Sequence, residues 1–129
     1  MNKTLLIGRL VAAPELIKTA NDRSLVRTTI AVNRRFKSAD GERQADFISL
    51  IIWGKTAENF VSYAKKGMLL SIEGEIRTHS YEDKQKQKHY VTEVLCTAYN
   101  LLESRAAVAL REGGTSTEEM MLAAEELPF

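Results

Sequence analysis

Up to residue 102, one stretch of this chain carries a helical period, and the remaining apolar segments read as strands. Ala57, Phe60, Val61 and Ala64 recur at i, i+3, i+4 and i+7, the stripe of an amphipathic helix. Thr56 is placed to cap it. Lys65 and Lys66 fall in its expected last turn, where the helix dipole favours cations, and Gly67 offers a left-handed stop. Three strand patterns precede the helix. Residues 5–11 form the first, ended by Pro14. In the second, Val26, Thr28, Ile30 and Val32 alternate with Arg27, Thr29, Ala31 and Asn33. Residues 46–53 form the third, apolar on both faces. Asn21-Asp22 and residues 38–41 are turn signals between them. Two long strands follow the helix, 69–81 and 90–102, separated by a polar hairpin tip. Gly8 and Gly74 fall inside strands, where glycine permits the bends a small closed barrel needs. Three strands, a helix and two strands predict an all-β fold. It is the five-stranded oligonucleotide-binding barrel, with one helix between its third and fourth strands. An open α+β sheet or another small barrel also fits the pattern.

The 129 residues suffice for one compact domain and a short appendage. The expected division is a barrel domain at 1–103 and a flexible tail at 104–129. Within that tail, residues 105–111 are alanine-rich and suit a helical turn or two, and 113–117 are linker-like. Charge divides in nearly the same place. Residues 1–110 hold 17 Lys and Arg against 12 Asp and Glu, whereas 111–129 hold one Arg and five Glu. A mildly basic body suggests a polyanion ligand, and an acidic tail suggests a different role. No apolar run approaches the ~18 residues of a membrane span. The N-terminus lacks the apolar core of a signal peptide, so a cytoplasmic location is expected. The single cysteine, Cys96, sits in an apolar run and is expected to be a buried thiol.

The third strand carries the sharpest functional signal. Phe47, Ser49, Ile51 and Trp53 share one face, and Ile48, Leu50 and Ile52 the other. With the latter face in the core, Phe47 and Trp53 stand outside, about 20 Å apart along the strand. The opposite assignment, with both rings in a wide core, fits this strand equally well. Phe36 follows Arg34-Arg35, and Tyr81 precedes Lys84, Lys86 and Lys88, which alternate along the hairpin tip. Rings interleaved with cations suit a single-stranded nucleic acid, with flat faces for bases and charges for phosphates. His79 and His89 could meet across the hairpin, but no third ligand stands nearby, so no metal or cofactor is expected. The chain shows no phosphate loop, nucleophile elbow or paired ligand motif, and it reads as a binder, not an enzyme. A protein-interaction adaptor and an RNA-binding barrel are the competing classes.

Several segments together resemble the bacterial single-stranded DNA-binding protein family. They are residues 2–10 (NKTLLIGRL), 47–55 ending in Trp53-Gly54-Lys55, Lys65-Lys66-Gly67, 72–78 (IEGEIRT) and 90–94 (YVTEV). The resemblance implies an oligonucleotide-binding barrel assembled as a homotetramer that wraps single strands. It implies base stacking on Phe36, Phe47, Trp53 and Tyr81, and backbone contacts from Lys3, Lys55, Lys65, Lys66 and Arg77. The ending Glu125, Glu126, Leu127, Pro128 and Phe129 resembles the family's acidic tip, which implies docking of DNA-processing proteins there. Some positions depart from the family's pattern. Ala13 stands where aspartate is frequent, phenylalanine at 36 and 47 replaces frequent tryptophan, and the tip has glutamates and leucine for aspartates and isoleucine. The compact length is similar to the short second copy found in some naturally transformable Gram-positive bacteria.

Overall fold

Alternating β-branched residues stiffen two long antiparallel ladders, which frame the molecule. The computed structural model describes residues 1–112. In chain order the elements are β1 (Thr4–Leu10), β2 (Leu16–Lys18), β3 (Ser24–Lys37), β4 (Arg43–Trp53), α1 (Gly54–Tyr63), β5 (Leu69–Glu82), β6 (Lys88–Leu101) and α2 (Arg105–Glu112). β3 pairs with β4 from Leu25↔Trp53 outward, and β5 pairs with β6 from Leu70↔Leu101 to Glu82↔Lys88. β1 joins β5 along one edge and meets β3 at Arg9↔Ala31 and Leu10↔Ile30. A parallel junction of two pairs, Leu50↔Val94 and Ile51↔Leu95, links β4 to β6. The ring β1-β5-β6-β4-β3 is therefore a closed five-stranded barrel with a helix between β4 and β5, as the sequence pattern predicted.

The core follows from the strand period. Val26, Ile30, Leu50, Ile52, Leu70, Ile72, Val94 and Cys96 point inward, and Ala57, Phe60 and Ala64 bring the helix segment against them. Phe60 meets the Tyr99 ring edge-on at 5.1 Å. Burial pushes the Cys96 thiol up to about 11, so it stays protonated and unreactive at neutral pH. Gly8 and Gly74 sit where strands approach most closely. A Cβ on Gly8 would overlap the Ala31 carbonyl oxygen, and one on Gly74 the Leu95 carbonyl oxygen. The β5–β6 ladder shifts register beside Gly74, which bends the sheet toward closure.

Three local expectations are corrected. First, residues 16–18 form an additional short strand, β2, on the edge of β3 that β1 leaves open. Second, α1 begins at Gly54 directly from β4. Trp53 occupies its N-cap with no side-chain bond, and Thr56 lies inside the helix. Third, the helix ends at Tyr63, so Lys65 and Lys66 are not in its last turn. They form a separate turn closed by Met68 N–H to the Lys65 carbonyl (3.1 Å), with Gly67 at φ 83°. Gly67 N–H donates to the Leu10 carbonyl at 2.7 Å, which fastens this turn to β1. The helical turns expected over 105–111 are present. Arg105–Glu112 is helical and Val108 is fully buried. Residues 113–129, including Glu125, Glu126, Leu127, Pro128 and Phe129, lie outside the described residues. Among the described residues no helix is long and apolar enough to cross a membrane.

Arg9 and Glu103 tie the barrel to this C-terminal segment. Both are largely buried and form an ion pair. Arg9 Nη1 also donates to the Gly67 carbonyl at 3.0 Å, and the Glu103 carboxylate accepts Leu69 N–H at 2.8 Å.

Candidate nucleic-acid interface

Burial falls away along the outer halves of both long ladders. Arg34 to Lys37 on β3 and Ile76 to Glu82 on β5 are exposed. The β3–β4 and β5–β6 hairpins thus extend past the core as two arms, and most of the expected stacking rings lie on them. Phe36 is 81% exposed and Phe47 61% on the first arm, and Tyr81 is 53% exposed on the second. Large rings cost free energy when left in water, so this exposure makes the arms the candidate surface for a ligand or partner.

The choice of core face for β4, open in the sequence, is decided in outline. Leu50 and Ile52 are buried, Ile48 packs against the core, and Phe47 points outward. Ile51 departs from it. It lies between Arg27 on β3 and Leu95 on β6 and is buried on the outer side of the barrel. Trp53 is half-buried at the base of the arm, with the Arg23 guanidinium 4.7 Å from its ring centre. One side of the indole is therefore already covered by a cation.

The expected cations divide into two groups. Arg35, Lys65, Lys66, Lys84 and Lys86 are exposed and make no ion pair among the described residues. Lys55 is exposed near Glu58. The second group carries carboxylates. Lys3 pairs with Glu73 at 2.6 Å, Arg77 with Glu75 at 2.7 Å and Arg34 with Asp46 at 2.8 Å. Exposed pairs of this kind contribute little to stability and reopen readily to another anion. Arg34 holds the Asp46 carboxyl below its usual range, chiefly by hydrogen bonding.

At the tip of the second arm, the Asp83 carboxylate accepts the Gln85 and Gln87 N–H groups, each at 2.9 Å. The turn breaks strand alternation. Lys84 and Lys86 belong to it, Lys86 at φ 64°, and only Lys88 is in a strand. The single lysine face expected from the sequence is therefore not formed. His79 and His89 do not pair either. His89 lies 2.8 Å from Asp83 and stacks on Tyr81 at 5.1 Å, while His79 sits 3.5 Å from Glu93, which also holds Arg27 at 2.9 Å. The bond to His89, followed by backbone bonds, lowers the Asp83 pKa. A lowered carboxyl pKa stabilises the folded turn at neutral pH, and that contribution is lost as pH falls through the folded value.

Residues 1–102 match the single-strand binding protein family. The chain belongs to this family. It is 59% identical over 130 aligned residues to the single-stranded DNA-binding protein 1 of Streptococcus pyogenes, covering 99% of this chain and 98% of that one. It is 54% identical to the single-stranded DNA-binding protein 2 of Streptococcus agalactiae, with the same coverage. Against the single-stranded DNA-binding protein of Enterococcus faecalis, identity is 46% over 114 residues, 88% of this chain and 61% of that longer protein. The family resemblance read from the segments quoted above is thus confirmed.

Two features of this family member's surface escaped the sequence reading. Tyr90 is 78% exposed, with Lys88 Nζ 5.5 Å from its ring centre. Its position directly after Lys88-His89 was the available signal. Arg23 over Trp53 had none, since the two residues lie far apart in the chain.

Proposed function

We propose that this protein binds and protects single-stranded DNA without sequence preference, as a non-catalytic binder working in replication, repair, recombination or natural transformation. The observation that carries this reading is the set of exposed rings on two strand arms, Phe36 and Phe47 on one and Tyr81 and Tyr90 on the other. Stacking tolerates every base, because every base has a π-face. The unpaired cations Arg35, Lys65, Lys66, Lys84 and Lys86 supply phosphate contacts spread over several elements, so no one recognition helix reads base edges. Lys3, Lys55, Arg77 and Lys88 join them, the first and third by exchanging a carboxylate for a phosphate. Trp53 completes the stacking set.

The binding unit is residues 1–103, assembled as a homotetramer in the cytoplasm. Leu5 and Ile7 support self-association, being apolar, exposed and adjacent on β1. Family membership supports the same reading. Residues 104–129 form the appendage, and its tip, Glu125 to Phe129, recruits DNA-processing proteins.

Trp53 is the only tryptophan, so its fluorescence reports binding directly. Titration should show tight binding to oligo-dT and weak binding to duplex DNA, with little difference among unstructured sequences. Log affinity should fall with log salt by about 0.7 per phosphate neutralised. Tighter binding to duplex, or a strong preference for one mixed sequence, would overturn the proposal. Preference for oligo-rU over oligo-dT would move the ligand to RNA. Deleting residues 125–129 should leave oligo-dT affinity unchanged or slightly raised at low salt and abolish capture of DNA-processing proteins. Capture that survives the deletion would place docking on the barrel.

A further inference from the structure

Arg34 is bound differently from the other cations on this surface. Its Nε lies 3.2 and 3.1 Å from the two Asp46 oxygens, and Nη2 is 2.8 Å from Oδ1. Nη1 donates to Gln44 Oε1 at 2.9 Å. All three guanidinium nitrogens are therefore engaged along the edge of the group, and its charge is matched by one carboxylate. The side chain nevertheless remains 55% exposed. A guanidinium whose edge is engaged presents its flat faces, and such faces stack on bases much as aromatic rings do. The register places Asp46 opposite Val32, on the side of β4 away from Phe47. Phe36, two residues beyond Arg34, is more exposed than either partner of the fork.

We propose that Asp46 and Gln44 hold Arg34 as a flat, charge-neutral platform for an unpaired base, so that Arg34 is not one of the phosphate contacts. Asp46 is then a positioning residue, and the first arm offers stacking surfaces on both of its faces. The proposal rests on the single-strand reading above and refines the role of one residue within it.

Salt dependence separates the two roles, because stacking does not release counterions and phosphate contact does. Oligo-dT affinity is measured on the full chain across a salt series for the unaltered protein, R34A, R34K, D46N, R34A/D46N and K66A. K66A calibrates the series, with a slope shallower by about 0.7. R34A should bind five-fold or more weakly; the slope is read in R34A/D46N, where no lone carboxylate remains, and should equal the parent's. R34K keeps the charge but cannot form the fork, and it should lose as much affinity as R34A. D46N frees the guanidinium, so its slope should steepen by about 0.7, with tighter binding at low salt only. A shallower slope for R34A/D46N, matching K66A, would make Arg34 a phosphate contact and overturn the proposal. So would wild-type affinity in R34A or R34K, or a wild-type slope in D46N. Thermal unfolding of each variant checks that the arm is intact. If R34A is unfolded, R34K and D46N decide the matter alone. Failure of the unaltered protein to bind oligo-dT would instead sink the single-strand reading itself.

Discussion

Replacing Phe36, Phe47 and Tyr81 together with alanine should weaken oligo-dT binding by at least two orders of magnitude while leaving the barrel folded. Each ring stacked on a base is worth about 1–3 kcal/mol. Three such losses reach roughly 3 kcal/mol at the low end, and each 1.4 kcal/mol is tenfold in affinity. The rings stand on the arms, and none belongs to the core cluster. Surface truncations away from packed features usually shift stability by no more than about 0.5 kcal/mol. Quenching of Trp53 fluorescence reads the affinity, and a melting curve reads the fold. Near-normal affinity in a folded triple variant would place the DNA path away from the arms. Trp53→Ala is a less clean test, because the indole is half-buried at the start of α1 and carries Arg23 on one side.

The second large effect concerns stability. Glu103→Ala should destabilise the protein by about 3–5 kcal/mol, because Arg9 is left charged in a buried site. Glu103 also accepts Leu69 N–H, and Arg9 grips the Gly67 carbonyl, so the loss would loosen β1, the 65–68 turn and the start of β5 together. Domains of this size are held by only about 5–15 kcal/mol, so the variant should melt far below the parent. Glu75→Ala is the contrasting case. Its partner Arg77 is exposed, and loss of an exposed pair costs at most about 1 kcal/mol. Equal melting temperatures for Glu103→Ala and the parent would mean that Arg9 finds water or another acceptor.

Much of this architecture was legible before any coordinates. The strand alternation at 26–33, the apolar run at 46–53 and the helical stripe at 57–64 give the order of elements, which fits a small barrel or an open α+β sheet. Period puts Ile48, Leu50 and Ile52 on one face and Phe47 on the other but leaves open which is core; the buried Leu50 and Ile52 and the exposed Phe47 decide it. What failed was local. β2 has three exposed residues and no period, and it exists only because β1 leaves part of β3 unpaired. The helix start was misplaced because Trp53-Gly54 turns from strand to helix without a capping side chain. The lysine run 84, 86, 88 looked like one face because alternation was extended through a turn that Asp83 folds up. Carboxylate partners of Lys3, Arg34 and Arg77 come from neighbouring strands or ladder positions. Charge counts reveal their number but not which cations they occupy.

The parallel junction of β4 and β6 bears on how the molecule forms and breathes. It joins residues 50 and 51 to 94 and 95 across the whole α1–β5 segment, and only two pairs hold it. Each hairpin can zip from its own turn, whereas this seam waits until distant parts of the chain have met. Folding should therefore be gated by the seam and not by either arm, on the millisecond-to-second scale of barrels rich in nonlocal pairing. In the native state the seam is one of two thin places in the ring, the other being the two-pair junction of β1 with β3. Opening of the seam would let the two ladders part as intact units, and faster amide exchange at Leu95 than at Ile72 would record it. A protein that must shape itself around a flexible polymer would then carry its hinge in the barrel wall, far from the tips proposed to touch the ligand.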